Sequence, residues 1–309
     1  MRIKQLLIAV CIGTMFAACS SNEDYNQQND NTIKLRSKVV VPVVGTRADV
    51  NNNELLGDKI EYGSNITVQM FQVGTNTAYS SGSTSLKYSV GTVGNMSIST
   101  GTEPEWSETA VDVVAFYPWD TPMPSTQGDN LWESVQSDQS TADNYLKSDI
   151  MIAQALNKTK ENGPITLEFK HVFSKIIVKI EGVTYSDVTN VQLYAGTDYG
   201  FLRTYDNSIE VYYDSGEKNI QLGDYKSNGV CGIIPAQTIP VSQNDHFISF
   251  DYQGNTFRYT PSSSIVLKGG YVYTFTLAVK DNIVSAKNYT VTEWNNSDPD
   301  CTQSGDAIW

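Results

Sequence analysis

Few residues in this 309-residue chain are of types that do chemistry, and they are scattered. There are two histidines and four cysteines. Acid–base work at a histidine needs a nucleophile or carboxylate within hydrogen-bond reach, and the sequence around His171 nominates neither. It lies in the strand-like run 169–175 and reads as a structural histidine bonded within a sheet. His246 follows Asn244-Asp245 and reads as a turn residue. The two have no ligand spacing that suits zinc. Carboxylate pairs occur at Glu103/Glu105 and Asp298/Asp300, both among turn residues. Acid–base catalysis wants two carboxyls in different environments, whereas these look equally solvated. Tyr194, Tyr199, Tyr205, Tyr212 and Tyr213 form a group that could stack on sugar rings, although tyrosine on strands more often serves cross-strand packing. There is no phosphate loop, no nucleophile triad order and no cofactor fingerprint. An enzyme is not expected, nor is a metal or cofactor.

Chemistry is expected at one cysteine. Arg2 and Lys4, an apolar run over residues 6–16 and Ala17-Ala18 before Cys19 make residues 1–18 a signal peptide. Cys19 directly after the small residues resembles a bacterial lipobox, in which the thiol takes a diacylglyceryl group and becomes the first mature residue. Phe16 stands where leucine is more usual, and an ordinary cleavage leaving a free Cys19 is the alternative. Three acyl chains would anchor the chain durably, at about 0.8 kcal/mol per buried methylene. Ser20 to Asp24 follow at once, and residues 19–38 read as a polar linker. The acidic Glu23-Asp24 resembles the surface-export signal of Bacteroidetes lipoproteins. Cys231 and Cys301 remain after processing; an exported compartment permits a disulfide between them, the alternative being a buried Cys231 and a free tail thiol.

The rest of the chain must be built from strands. Acids outnumber bases 34 to 21, for a net charge of −13. Loss of Arg2 and Lys4 leaves 19 bases against the same 34 acids, or −15. A surface this acidic repels phosphate backbones, which excludes nucleic acid as a partner. Eighteen tyrosines with 22 glycines favour strands joined by turns. Residues 39–44 are apolar and broken by Pro42, which predicts an edge strand. Period-two alternation marks Ile66, Val68 and Met70; Val111, Val113, Ala115 and Tyr117; and Ile165, Leu167 and Phe169. The phase slips at Val172-Phe173, as at a bulge, and resumes at Ile176, Val178 and Ile180. Further strands are predicted at Val191 and Leu193, at Ile209 to Tyr213, at Ile248 to Tyr252, at Tyr271 to Val279, and from Tyr289 to Trp294. Residues 121–144 read as a long loop, with a turn of helix near Tyr145. Strands at this density predict an all-β chain of two antiparallel sandwiches, one over residues 39–182 and one over 183–309 with a polar tail.

The order of several short motifs then resembles a known family. They are Thr46-Arg47-Ala48, Gly57-Asp58-Lys59-Ile60, Val113-Val114-Ala115-Phe116-Tyr117-Pro118 and Ser148-Asp149-Ile150-Met151. After them come the run 169–175, Ile234-Pro235-Ala236-Gln237-Thr238, Gly270-Tyr271-Val272-Tyr273 and Thr292-Glu293-Trp294. The chain resembles the fimbrillin family of Bacteroidetes, type V pilus subunits, in its minor-fimbrillin-like branch. The resemblance implies two transthyretin-like antiparallel β-sandwich domains in tandem and export as a lipoprotein to the cell surface and outer membrane. It also implies cleavage by an Arg-specific protease between Arg47 and Ala48, the positions that match; a solvated loop charge is the alternative for Arg47. Implied partners are other pilus subunits, joined by β-strand addition, the outer membrane through the lipid, and a host or bacterial surface ligand. The tail after Trp294 is too acidic and Pro-containing to fill a groove well, so the donor is the region 289–294 or the subunit donates nothing. The competing reading is a surface glycan-binding lipoprotein that assists polysaccharide uptake through exposed tyrosine and tryptophan.

Overall fold

The computed structural model describes residues 31–39, 60, 63–81, 85–107, 109–118, 130–196, 199–205, 208–213, 218–224, 229–241, 246–281 and 283–294. The signal peptide, Cys19, residues 40–44 of the expected edge strand, Arg47, Ala48 and the tail with Cys301 lie outside them. Thr32 onward forms one compact unit.

Its first half holds β1 (Leu35–Val39), β2 (Asn65–Gln72), β3 (Leu86–Val90), β4 (Asn95–Ile98), β5 (Val111–Tyr117), β6 (Asn130–Ser134), α1 (Ala142–Ser148), β7 (Met151–Lys158) and β8 (Ile165–His171). Seven of these strands close a barrel in the order β1-β4-β3-β2-β5-β7-β8, with β8 returning to β1. β8 shows why alternation was legible: Ile165, Leu167 and Phe169 point into the barrel while Thr166, Glu168 and Lys170 face water. In β5 all seven residues are buried. Val111, Val113, Ala115 and Tyr117 belong to the barrel core, and Val114 and Phe116 to a second apolar cluster behind it. Burial on both faces turns an alternating pattern into a continuous apolar run. The turn of helix near Tyr145 is α1, capped where the Thr141 hydroxyl accepts from Asn144 N at 3.3 Å.

The second half holds β9 (Ser174–Glu181), β10 (Val188–Ala195), β11 (Tyr199–Tyr205), β12 (Ser208–Tyr213), β13 (Lys218–Gln221), β14 (Val230–Ile234) and β15 (Thr238–Ile239). It continues with β16 (Ile248–Tyr252), β17 (Asn255–Tyr259), β18 (Ile265–Val266), β19 (Tyr271–Lys280) and β20 (Ile283–Glu293). One sheet runs β14-β9-β19-β20 and another β13-β10-β16-β17. Their apolar residues share one cluster, in which Phe247 meets Phe275 edge-on at 5.2 Å.

Several expectations change. A strand of the closed barrel, Leu35–Val39, shares Val39 with the one expected at residues 39–44, of which residues 40–44 lie outside the described residues. Residues 33–38, expected in the polar linker, therefore belong to the fold. Ile33, Leu35, Ser37 and Val39 turn inward, and Lys34, Arg36 and Lys38 between them disguise the pattern. The slip at Val172-Phe173 is not a bulge but the passage from the barrel (β8) to the second sheet (β9). Gly269 packs against this passage so closely that a Cβ would stand 2.0 Å from the Val172 carbonyl oxygen. Within the expected long loop, residues 130–134 form β6, because β11 pairs with them from far along the chain. The described strands of the first half close into one seven-stranded barrel.

Candidate functional site

The strand β1 is the element whose position bears on function. It pairs in parallel with β8 from Leu35↔Ile165 to Val39↔Phe169, and antiparallel with β4 at Leu35↔Met96 and Arg36↔Asn95. Parallel pairing is unusual beside the antiparallel ladders of the other barrel strands, and it lets β1 fill the gap between β4 and β8. Ile33, Leu35 and Val39 are buried to within 2% of full burial, and Ser37 lies nearly as deep. The Ser37 hydroxyl donates to the Gly94 carbonyl at 3.2 Å. Gly94 has φ +75°, and a Cβ there would lie 2.4 Å from the Ser37 carbonyl oxygen, so only glycine lets β4 approach β1.

The entry to β1 is pinned as well. Ile33 N donates to Pro104 O at 2.7 Å and Ile165 N to Lys34 O at 2.8 Å. Lys34 Nζ meets Glu103 Oε2 at 2.6 Å, and Thr32 forms a bridge with Glu105. Glu103 and Glu105, expected as equivalent solvated carboxylates, thus have different duties. Glu103 is an ion-pair partner, and residue 105 lends its backbone. Without β1, the inward faces of Ile165, Leu167 and Phe169 would lose their cover, and two strands would present unpaired backbone to water, a template for another strand.

The other singled-out residues are dispersed. His171 ends β8 with Nδ1 2.6 Å from Asp149 Oδ1, a carboxylate that nothing in the local sequence nominated. The side chains are 1% and 12% exposed, and Trp294 stacks on the imidazole at 4.0 Å between centroids. The partner of His171 thus comes from the end of α1 rather than from within the sheet, and the pair is nearly enclosed. His246 stacks on Tyr194 at 5.6 Å; with Ile239, Pro240 and Pro261 they line a cleft of about 60 Å³. Tyr199, Tyr205, Tyr212 and Tyr213 are placed on β11 and β12 by their backbone. Cys231 is a free thiol, fully buried, with Sγ 3.6 Å from Tyr145 Oη. Among the described residues no cluster of His, Cys, Asp and Glu is placed to hold a metal, and no helix is long and apolar enough to cross a membrane.

Comparison with known proteins adds a family and a fold. The profile of a family described as fimbrillin-like matches residues 46–294. Among curated proteins no sequence matches. A Bacteroides uniformis protein described as a cell adhesion protein superposes with a TM-score of 0.64 at 18% identity, over 86% of this chain and all of that one. A second, from Bacteroides ovatus and described likewise, gives 0.61 at 16% identity, over 85% of this chain and 97% of the other.

Proposed function

This chain belongs to the fimbrillin-like family, which is structural and not enzymatic, and on that premise we propose that it is a surface-exported pilus subunit or pilus-associated adhesin activated by exchange of β1. The observation that carries the reading is the seat of β1, a strand completing a barrel just upstream of Arg47. In this reading the precursor is lipidated at Cys19 and anchored to the outer membrane. Cleavage between Arg47 and Ala48 cuts the connection that holds β1 to the rest of the chain. A strand of another subunit then takes the place between β4 and β8, and repetition of that step, head to tail, grows a polymer. We read the closed barrel and the sheets that follow it as two tandem transthyretin-like sandwiches, the first closed by β1. The change of sheet at Val172-Phe173 precedes the domain boundary placed near Gly182.

The amino-terminal residue of the protein on intact cells tests this. Chains beginning at Ala48, found in high-molecular-weight material and lost in Arg47→Ala, are the expected result. Chains that all begin at a lipidated Cys19 would overturn strand exchange and leave a fixed surface lipoprotein.

A further inference from the structure

Strand β20 is held in an uneven way. It lies at the end of its sheet and pairs with β19 alone, from Tyr271↔Glu293 to Lys280↔Ile283. The ladder slips between Thr276 and Leu277. Residues directly opposite one another share a face, so Tyr289 and Val291 lie on the same side as the buried Phe275 and Tyr273. They are nevertheless 48% and 47% exposed. β17 of the other sheet approaches β20, and Tyr289 stacks on Phe275 at 5.5 Å, but neither contact buries these two side chains. The ion pair from Lys287 to Glu181 is half exposed at both ends and contributes little.

One residue past β20 the situation reverses. Trp294 is 3% exposed. Its ring lies flat on His171, 4.0 Å away and 5° from parallel, and Lys175 Nζ stands 5.8 Å from its centre. Asp149 fixes the imidazole from behind at 2.6 Å, and Trp294 N donates to Gly270 O at 2.9 Å. The seat thus draws on the end of α1, the end of β8, β9 and the turn before β19. It lies at the passage from barrel to second sheet, where Val172 N bonds Ile150 O and Gly270 N bonds Phe173 O.

We propose that Trp294 is a latch: β20 is held on its sheet chiefly at this end, and unseating the indole from His171 frees the whole strand while β14, β9 and β19 stay folded. A strand with half-exposed side chains gains little from burial along its length, so its stability follows that of its anchor. Release uncovers the edge of β19 that the β20 ladder closes at rest.

Hydrogen exchange on the full chain tests the latch. In Trp294→Ala the amides of residues 284–293 should lose protection by about tenfold or more, while those of β9 and β14 keep theirs. Unchanged β20 protection, or an equal loss in all strands, would overturn the proposal. If that variant does not fold, the wild type decides. In low denaturant β20 should exchange through an opening smaller than global unfolding, and exchange of β20 only with the global event refutes the latch.

Discussion

Leu35→Ala in β1 is the perturbation that most directly probes strand exchange. Leu35 is 2% exposed, beside Met96 on one strand and Ile165 on the other. Truncating a leucine at such a site costs about 2–5 kcal/mol, part from lost transfer and part from the cavity left. In a protein nicked between Arg47 and Ala48, departure of β1 returns this residue to water, so the same cost appears in retention of the fragment. At about 1.4 kcal/mol per factor of ten, the variant fragment should be held roughly thirty- to several-thousand-fold less tightly. Arg36 alternates with Leu35 and faces solvent. Arg36→Ala should therefore stay within about 0.5 kcal/mol, or roughly twofold. The nick is made with an arginine-specific protease or by co-expressing the two pieces. Loss of labelled fragment into an excess of unlabelled peptide 31–47 is then followed by mass spectrometry. If the Leu35→Ala and Arg36→Ala fragments leave at the same rate, β1 is not held by apolar burial, and the exchange argument fails.

Other consequences follow from single contacts. Tyr88 is wholly buried in the barrel and its hydroxyl has no hydrogen-bond partner; Tyr88→Phe should raise stability by about 1–2 kcal/mol in urea unfolding. Burial, and after it the charge of Glu103, pushes the Tyr88 hydroxyl well above the ordinary tyrosine range, and burial likewise raises Tyr259 and Tyr273. The unfolded chain therefore loses these protons first, so stability present below about pH 10 should fall as pH rises past it, less steeply in Tyr88→Phe. Gly269→Ala sets a methyl against the Val172 carbonyl, and thermal denaturation should register a loss of about 2 kcal/mol or more. Cys19→Ser should abolish labelling by fatty-acid analogues and move the protein out of the membrane fraction; persistent labelling would disprove the anchor.

Local pattern made the strand character of this chain legible. β8 buries one side chain in two, as does β19 from Tyr273 to Leu277, and that period needs no knowledge of the partner strand. Three things were decided only by the tertiary structure. Charges at Lys34, Arg36 and Lys38 hid β1, whose place depends on a parallel partner far along the chain. The Val172-Phe173 step looks locally the same whether the chain bulges within one sheet or crosses to another. The carboxylate and the indole that enclose His171 come from residues 149 and 294. Side-chain period is a property of one strand and is written in consecutive residues. Pairing, closure and a stacked anchor are properties of two segments at once, and they are settled by which surfaces the folded chain can bring together.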